Sequence, residues 1–374
     1  MGAMRYGYFM MPLHVPGSNL YETLETDLAQ IVRVEELGFE EAWIGEHFSA
    51  EWENIPAPDM FIAAALQRTQ RIKLGTGVNC MPNHNPFQLA HRIAQIDHMA
   101  RGRFLWGVGS GGFPGDFEVA DIDPRTGRQR QVTTDAIDAV LQLWDDPRPG
   151  HYQQHNWSYT VPTPDPRIAK HVYLKPYQQP HPPIAVAGVT EKSDTLALAG
   201  ERGWIPMSIN MVCGRVLETH WTSIASGAER GGHAPERSEW RVSRTVHVAD
   251  TDRHAREEAI EGAIGRDFQD YFIPLLGQTR GLGGMKVDPD MSDADITLEY
   301  LCDNVWVVGS PETVAAKLRD LYERVGGFGS VMPVANDWPD FGVWDRSMTL
   351  FATEVIPRLA DLGEPESTTP LVSA

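Results

Sequence analysis

Apolar residues in the first hundred positions switch repeatedly between two spacings. Arg5–Met11 (RYGYFMM) is a short β-rich run. The stretch Leu20–Leu37 then carries Leu24, Leu28, Ile31, Val34 and Leu37 at helical spacing, and Gly38 supplies a helix stop. The rhythm repeats in the strand Glu41–Glu46 with the helix Pro58–Gln67, and in the strand Ile72–Val78 with the helix Pro86–Met99. The strand Arg103–Gly109 follows. Three strand–helix units in about 100 residues predict a parallel sheet with helical crossovers.

The pattern resumes downstream. Pro183–Gly188, Ile205–Ile209, Trp240–Val248 and Ser330–Val334 read as strands. Thr133–Trp144, Ser193–Glu201, Val216–Arg230, Arg253–Ile264, Pro311–Val325 and Trp344–Leu359 read as helices. Eight strands, mostly each followed by a helix, predict an α/β fold of the (β/α)8 TIM-barrel type, with a doubly wound open sheet as the alternative. Two insertions interrupt it, Asp145–Pro182 (rich in Pro, Tyr and His) and Phe272–Glu299 (rich in Gly and Asp). Long segments of this kind serve as lids, binding loops or subunit contacts. One domain over 4–362 is expected, with a disordered tail at 363–374 and an N-terminal Met1–Ala3 that resembles a cloning remnant.

Composition narrows the function classes. Of 374 residues, 42% are hydrophobic and 22% charged, enough for a core that needs no disulfide or metal. The formal net charge of −19 argues against nucleic acid or an anionic membrane as partner. Cys80, Cys213 and Cys302 are far apart and form no CxxC pair, so no zinc site or disulfide framework is indicated. No signal pattern or long apolar run is visible, and a cytoplasmic location is the expectation.

In a barrel, chemistry sits at the carboxyl ends of the strands. Those ends carry Glu46-His47-Phe48, Gly77-Val78-Asn79, Gly109-Ser110-Gly111-Gly112, Gly188-Val189-Thr190 and Asn210-Met211. Glycines clustered there either admit a flat group against the backbone or merely relieve crowding. Gly107–Gly112 superficially suggests a dinucleotide fingerprint, but no phosphate-cradling helix is expected to follow at once. Ser193 and Thr195 open a helix, where they either cap it or help to hold a phosphate. His47 is either a structural histidine or a proton-transfer group, and no second histidine four positions on suggests a metal. A G-x-S-x-G elbow is absent.

Five segments together resemble the bacterial luciferase-like flavin-dependent monooxygenases, in particular their limonene and diketocamphane monooxygenase branch. They are Trp43–Pro56, Ile72–Pro86, Ile96–Gly112, Leu174–Gly188 and Asp303–Val314, within a likeness running from Met4 to about Leu359. The resemblance implies a (β/α)8 barrel with FMN across its mouth. Gly77 and Val78 match a cis peptide under the flavin ring, Gly109 and Ser110 its reactive side, and Ala187, Gly188, Val189, Ser193 and Thr195 the ribityl-phosphate arm. His47 matches a histidine beside the flavin. Luciferases carry a cysteine where this chain has Gly109 and a basic residue where it has Ser110, which puts light emission in doubt.

The implied reaction takes FMNH2 and O2 through a flavin C4a-hydroperoxide to oxygenate a small apolar terpene, ketone or alkene. His47 would manage the proton. Strand alternation turns Trp106 into the core and leaves Phe48, Trp52 and Phe113 as pocket candidates. No NAD(P)H fingerprint is visible, which implies a separate NAD(P)H:flavin reductase, and the family implies a homodimer. An F420-dependent hydride-transfer enzyme and a non-catalytic flavin-binding protein are the alternatives on the same fold.

Overall fold

A computed structural model describes residues 4–279 and 281–363 of the chain, so Met1–Ala3 and the predicted tail beyond Gly363 lie outside the described residues. Eight parallel strands form the barrel: β1 (Arg5–Met10), β2 (Glu41–Ile44), β3 (Lys73–Thr76), β4 (Phe104–Gly109), β5 (Ile184–Gly188), β6 (Ile205–Ser208), β7 (Arg241–Arg244) and β8 (Ser330–Pro333). β1 pairs with both β2 and β8, with Gly7 opposite Glu41 and Arg5 opposite Ser330. β3 pairs with β4, Leu74 opposite Phe104, and this completes a closed ring rather than an open sheet.

The helical layer starts with α1 (Leu20–Glu36), α2 (Pro58–Leu66) and α3 (Pro86–Ala100). It continues with α4 (Arg128–Asp145), α5 (Asp194–Arg202) and α6 (Gly214–Gly231), and ends with α7 (Pro311–Val325) and α8 (Phe341–Leu350). Local chemistry sets several ends. Asn19 caps α1 by accepting from the Tyr21 amide, and Gly38 follows at φ +90°. Asn85 caps α3 with Pro86 in its first turn, while Ser310 caps α7 and Gly326 leaves it at φ +75°. Among the described residues no helix is long and apolar enough to cross a membrane.

Side chains fill the barrel in layers. At its amino-terminal end the Arg241 guanidinium pairs with Glu41 at 3.2 Å, both buried. Above them Phe9, Trp43, Leu105, Ala185, Met207 and Met332 belong to one buried cluster. Trp43 dictates glycine on its neighbours. A Cβ on Gly75 would come within 2.5 Å of the indole, and one on Gly77 within 2.9 Å of Trp43 Cβ. On Gly107 a Cβ would sit 1.9 Å from the Thr76 carbonyl. Part of the glycine cluster therefore accommodates the protein's own indole and backbone.

Four expectations change. The predicted strand Trp240–Val248 divides at Thr245, where Val246–Val248 leaves the barrel to pair with Val307–Gly309. The expected loop Asp145–Pro182 contains a hairpin, Gly150–Gln154 with Trp157–Val161, stabilised by stacked Tyr152 and Tyr159. The helix predicted over Arg253–Ile264 ends at Glu261, and helical turns resume from Ala263 through a π turn at Phe268–Phe272 to Thr279. Finally, the insertion Phe272–Glu299, expected as a loop, begins as helix at Ile273–Thr279, and its Gly284 carbonyl accepts from the Cys213 amide after β6 at 2.8 Å.

Candidate active site

The loop after β2 is held by carboxylates. His47 Nδ1 lies 2.9 Å from Asp116 Oδ2, and Asp116 Oδ1 accepts from the Phe48 and Ser49 amides at 3.1 and 3.0 Å and from Ser49 Oγ at 2.6 Å. Asp116 stands on a short helix, Pro114–Val119, that does follow the glycine-rich end of β4, but it presents this carboxylate rather than a phosphate cradle. Glu53 Oε2 faces His47 Nε2 at 3.4 Å. Burial alone pushes His47 down, but Glu53, Asp116 and Glu46 outweigh it and raise its pKa to about 9. Burial likewise favours the neutral form of Asp116, and hydrogen bonds from His47, Ser49 and Phe48 overcome it, so its carboxyl lies below the ordinary value. These carboxylates favour the imidazolium form of His47 at neutral pH, the form that can donate a proton.

Glu46 acts on the wall beside it. Its buried carboxylate accepts from Asn79 Nδ2 at 2.7 Å, the Cys80 amide at 3.0 Å and His84 Nε2 at 2.8 Å. Asn79 Oδ1 in turn accepts from Trp106 Nε1 at 3.2 Å, which fixes Trp106 in the core as alternation predicts. These bonds position the end of β3, where the Gly77–Val78 peptide is cis, as the family resemblance implies.

The residues expected to meet a cofactor fall into two groups. Val78 and Gly109 meet at the adjoining ends of β3 and β4, and a Cβ on Gly109 would lie 2.5 Å from Val78 Cγ2. The space beside Gly109 is therefore occupied by Val78. Ser110 Oγ accepts from Thr133 on α4 at 3.0 Å. At the end of the neighbouring strand β5, Gly188 makes room for Ser193, whose Oγ would be 2.6 Å from a Cβ there. Ser193 caps α5 through the Leu196 amide and shares a 3.0 Å hydrogen bond with Thr195, which donates to the Ala187 carbonyl at 2.8 Å. Trp52, Phe113, Val78 and Ala187 pack half-buried against the mouth cluster, and Phe113 meets His47 edge-on at 5.6 Å. Phe48 and Val189 are less enclosed, at 41% and 40% exposure, and Phe48 lies edge-on to His84 instead.

Several functional neighbours were not anticipated from sequence. Glu53 and Asp116 flank His47, and Tyr271 reaches Glu53 from the π turn. Glu53 adjoins the predicted Trp52, which was the one available signal. Asn210, named only as a strand end, proves to hold a buried side-chain oxygen with no hydrogen-bond donor among the described residues. The donor set suits FMN. The first-turn amides of α5 have no intrahelical acceptor and lie beside Ser193 and Thr195, an arrangement that favours phosphate. Asn210 Oδ1 matches the imide N–H that a flavin ring carries.

The chain also resembles known proteins along most of its length. The model of the family described as "Luciferase-like monooxygenase" matches residues 4–327. The chain is 31% identical over 374 residues to 3,6-diketocamphane 1,6-monooxygenase of Pseudomonas putida, covering 96% of this chain and 98% of that one. It is 32% identical over 368 residues to limonene 1,2-monooxygenase of Rhodococcus erythropolis, covering 97% and 88%. A solved type II Baeyer–Villiger monooxygenase, the oxygenating constituent of 3,6-diketocamphane monooxygenase from Pseudomonas putida in complex with FMN, superposes with a TM-score of 0.86. That likeness is at 32% identity and covers 95% of this chain and 98% of that one.

Proposed function

We propose that this chain, which belongs to the luciferase-like monooxygenase family, is an FMN-dependent oxygenase of small apolar organic molecules such as terpenes and cyclic ketones. The support for this substrate class is the diketocamphane and limonene monooxygenases it resembles, together with the aromatic wall of Trp52 and Phe113 at the mouth. Reduced FMN, delivered by a separate NAD(P)H:flavin reductase, would supply two electrons so that one atom of O2 enters the substrate and the other leaves as water. The working form in this reading is a cytoplasmic homodimer.

The chain's own residues would bind, shield and move a proton. Ser193, Thr195 and the α5 amides hold the phosphate, with Ala187, Gly188 and Val189 along the arm. Val78, positioned by Glu46 through Asn79 and Cys80, forms one wall of the ring site, with Gly77, Gly109 and Ser110 beside it. Trp52 and Phe113 exclude water around the substrate, with Phe48 at the outer, more exposed rim. His47, kept charged by its carboxylates, donates a proton from Nε2 to oxygen during transfer.

The observation that carries this reading is His47 set between Asp116 and Glu53 at the rim of an apolar barrel mouth. The test is to supply chemically reduced FMN and ¹⁸O2 with a panel of bicyclic ketones and cyclic alkenes, then follow label by mass spectrometry. One ¹⁸O per product supports the proposal. Unlabelled product, with hydride transfer from reduced F420 instead, overturns it.

A further inference from the structure

The segment after β7 returns to the His47 site through one side chain. Tyr271 lies on the π turn Phe268–Phe272, where the helix register shifts. Such turns recur at functional positions because they re-aim side chains. Its ring stacks on Trp52 with centroids 5.6 Å apart and planes 16° apart. Its hydroxyl donates to Glu53 Oε1 at 2.6 Å, and both residues are buried. The other oxygen of the same carboxylate, Oε2, stops 3.4 Å from His47 Nε2. That is beyond ordinary N–H···O length, and Nε2 has no hydrogen bond among the described residues, whereas Nδ1 is fully engaged by Asp116.

From this geometry we infer that Tyr271 is a positioning residue for His47. It tethers Glu53 close enough to favour a charged imidazole but too far away to take the Nε2 proton, so that Nε2–H stays free for a ligand in the mouth. The groups facing the imidazole are Glu53 and Glu46 from the loop after β2 and Asp116 from the short helix after β4, with Phe113 edge-on. Without the hydroxyl, the buried Oε1 loses its donor and the carboxylate has reason to rotate onto Nε2. The inference takes His47 as the proton donor of the proposed function, but the tether can be tested without any turnover.

The experiment is a ¹⁵N-imidazole NMR titration of the full-length protein without flavin, comparing wild type with Tyr271→Phe and Glu53→Gln. Phenylalanine preserves the stacking on Trp52, and near-UV circular dichroism checks the fold. In Tyr271→Phe the His47 titration should move upward by half a pH unit or more, with a new downfield hydrogen-bonded Nε2–H signal. In Glu53→Gln it should move downward. A Tyr271→Phe titration and N–H spectrum superimposable on wild type would overturn the tether. A normal tether alongside failed ¹⁸O incorporation would instead refute the proposed function and leave this inference standing. Should Tyr271→Phe unfold, Glu53→Gln decides: a His47 titration unmoved in that variant would overturn the inference.

Discussion

His47 Nδ1 and Asp116 Oδ2 lie 2.9 Å apart although 69 positions separate them in sequence, so the loop after β2 is tied to the helix that follows β4. Asp116 favours the positive ring. Removing its charge must therefore let the His47 proton leave at lower pH than about 9. In Asp116→Asn the basic limb of the oxygenation pH profile should fall by about one unit. The loop also loses an anionic acceptor for Ser49 and two amides, so denaturant unfolding should show a loss of about 2 kcal/mol. An unchanged pH profile would disconnect His47 from the rate.

Truncating the imidazole tests its role more directly. His47→Ala should lower oxygenated product formation about 100-fold, the lower range for losing a positioned proton donor. FMN affinity should change little, since the expected phosphate contacts lie at α5. The measurement is product formed per reduced flavin consumed. Full rate and coupling in the variant would end the assignment.

Ser193 and Thr195 separate capping from cofactor binding. Ser193 Oγ serves the Leu196 amide, so Ser193→Ala should cost about 1 kcal/mol of stability through the lost cap. Thr195→Val removes a hydroxyl that caps nothing and donates to the Ala187 carbonyl. If these hydroxyls hold phosphate, both variants should weaken FMN binding about tenfold, as flavin fluorescence quenching would read. Unaltered affinity in Thr195→Val would reduce this segment to helix capping.

Legibility in the sequence followed the length and regularity of each element. All eight barrel strands could be located because most are apolar or alternating runs ahead of a turn and an amphipathic helix. The division at Thr245 was invisible, since alternation continues unbroken while the pairing partner changes from β8 to a three-residue strand at Val307–Gly309. His47 stood out by its place at a strand end. Its partners did not. Asp116 belongs to a helix of six residues, too short for a periodic signal, and Tyr271 sits where a π turn breaks the 3.6-residue spacing. The flat group that the glycines of β3 admit is first of all Trp43, a contact that depends on neighbouring strands and leaves no local mark.

That contact makes a prediction about packing. Gly75→Ala places a methyl 2.5 Å from the Trp43 ring inside a filled barrel, and should destabilise by about 2 kcal/mol in chemical unfolding. In a Trp43→Leu background the same change should cost at least about 1 kcal/mol less, because the clashing ring is gone. Additive costs would show that the indole is not what requires glycine there.

A second buried histidine makes stability depend on pH. His14 Nδ1 lies 2.9 Å from Asp337 Oδ2 and Nε2 3.1 Å from Asp27 Oδ2, at the ends of β1 and β8. Burial pushes this ring down, but its bonds to Asp27 and Asp337 prevail and raise it to about 9. A histidine in the unfolded chain titrates near 6.5, so the folded state holds the proton more tightly. The resulting stabilisation is fully present below about pH 6.5 and is lost as pH rises through about 9. Its size is on the order of 3 kcal/mol from the histidine alone. Burial also pushes the Asp27 carboxyl up, which lowers stability about equally across this window and leaves its slope alone, so a loss of about 3 kcal/mol between pH 6.5 and 10 is expected. Other groups titrate across the same range, and His14→Gln supplies the control because it keeps a hydrogen-bonding side chain without the charge. Unfolding midpoints in urea should fall more steeply with pH in wild type than in the variant. Equal slopes would mean that His14 is held neutral between its two carboxyls, one of which must then carry the proton.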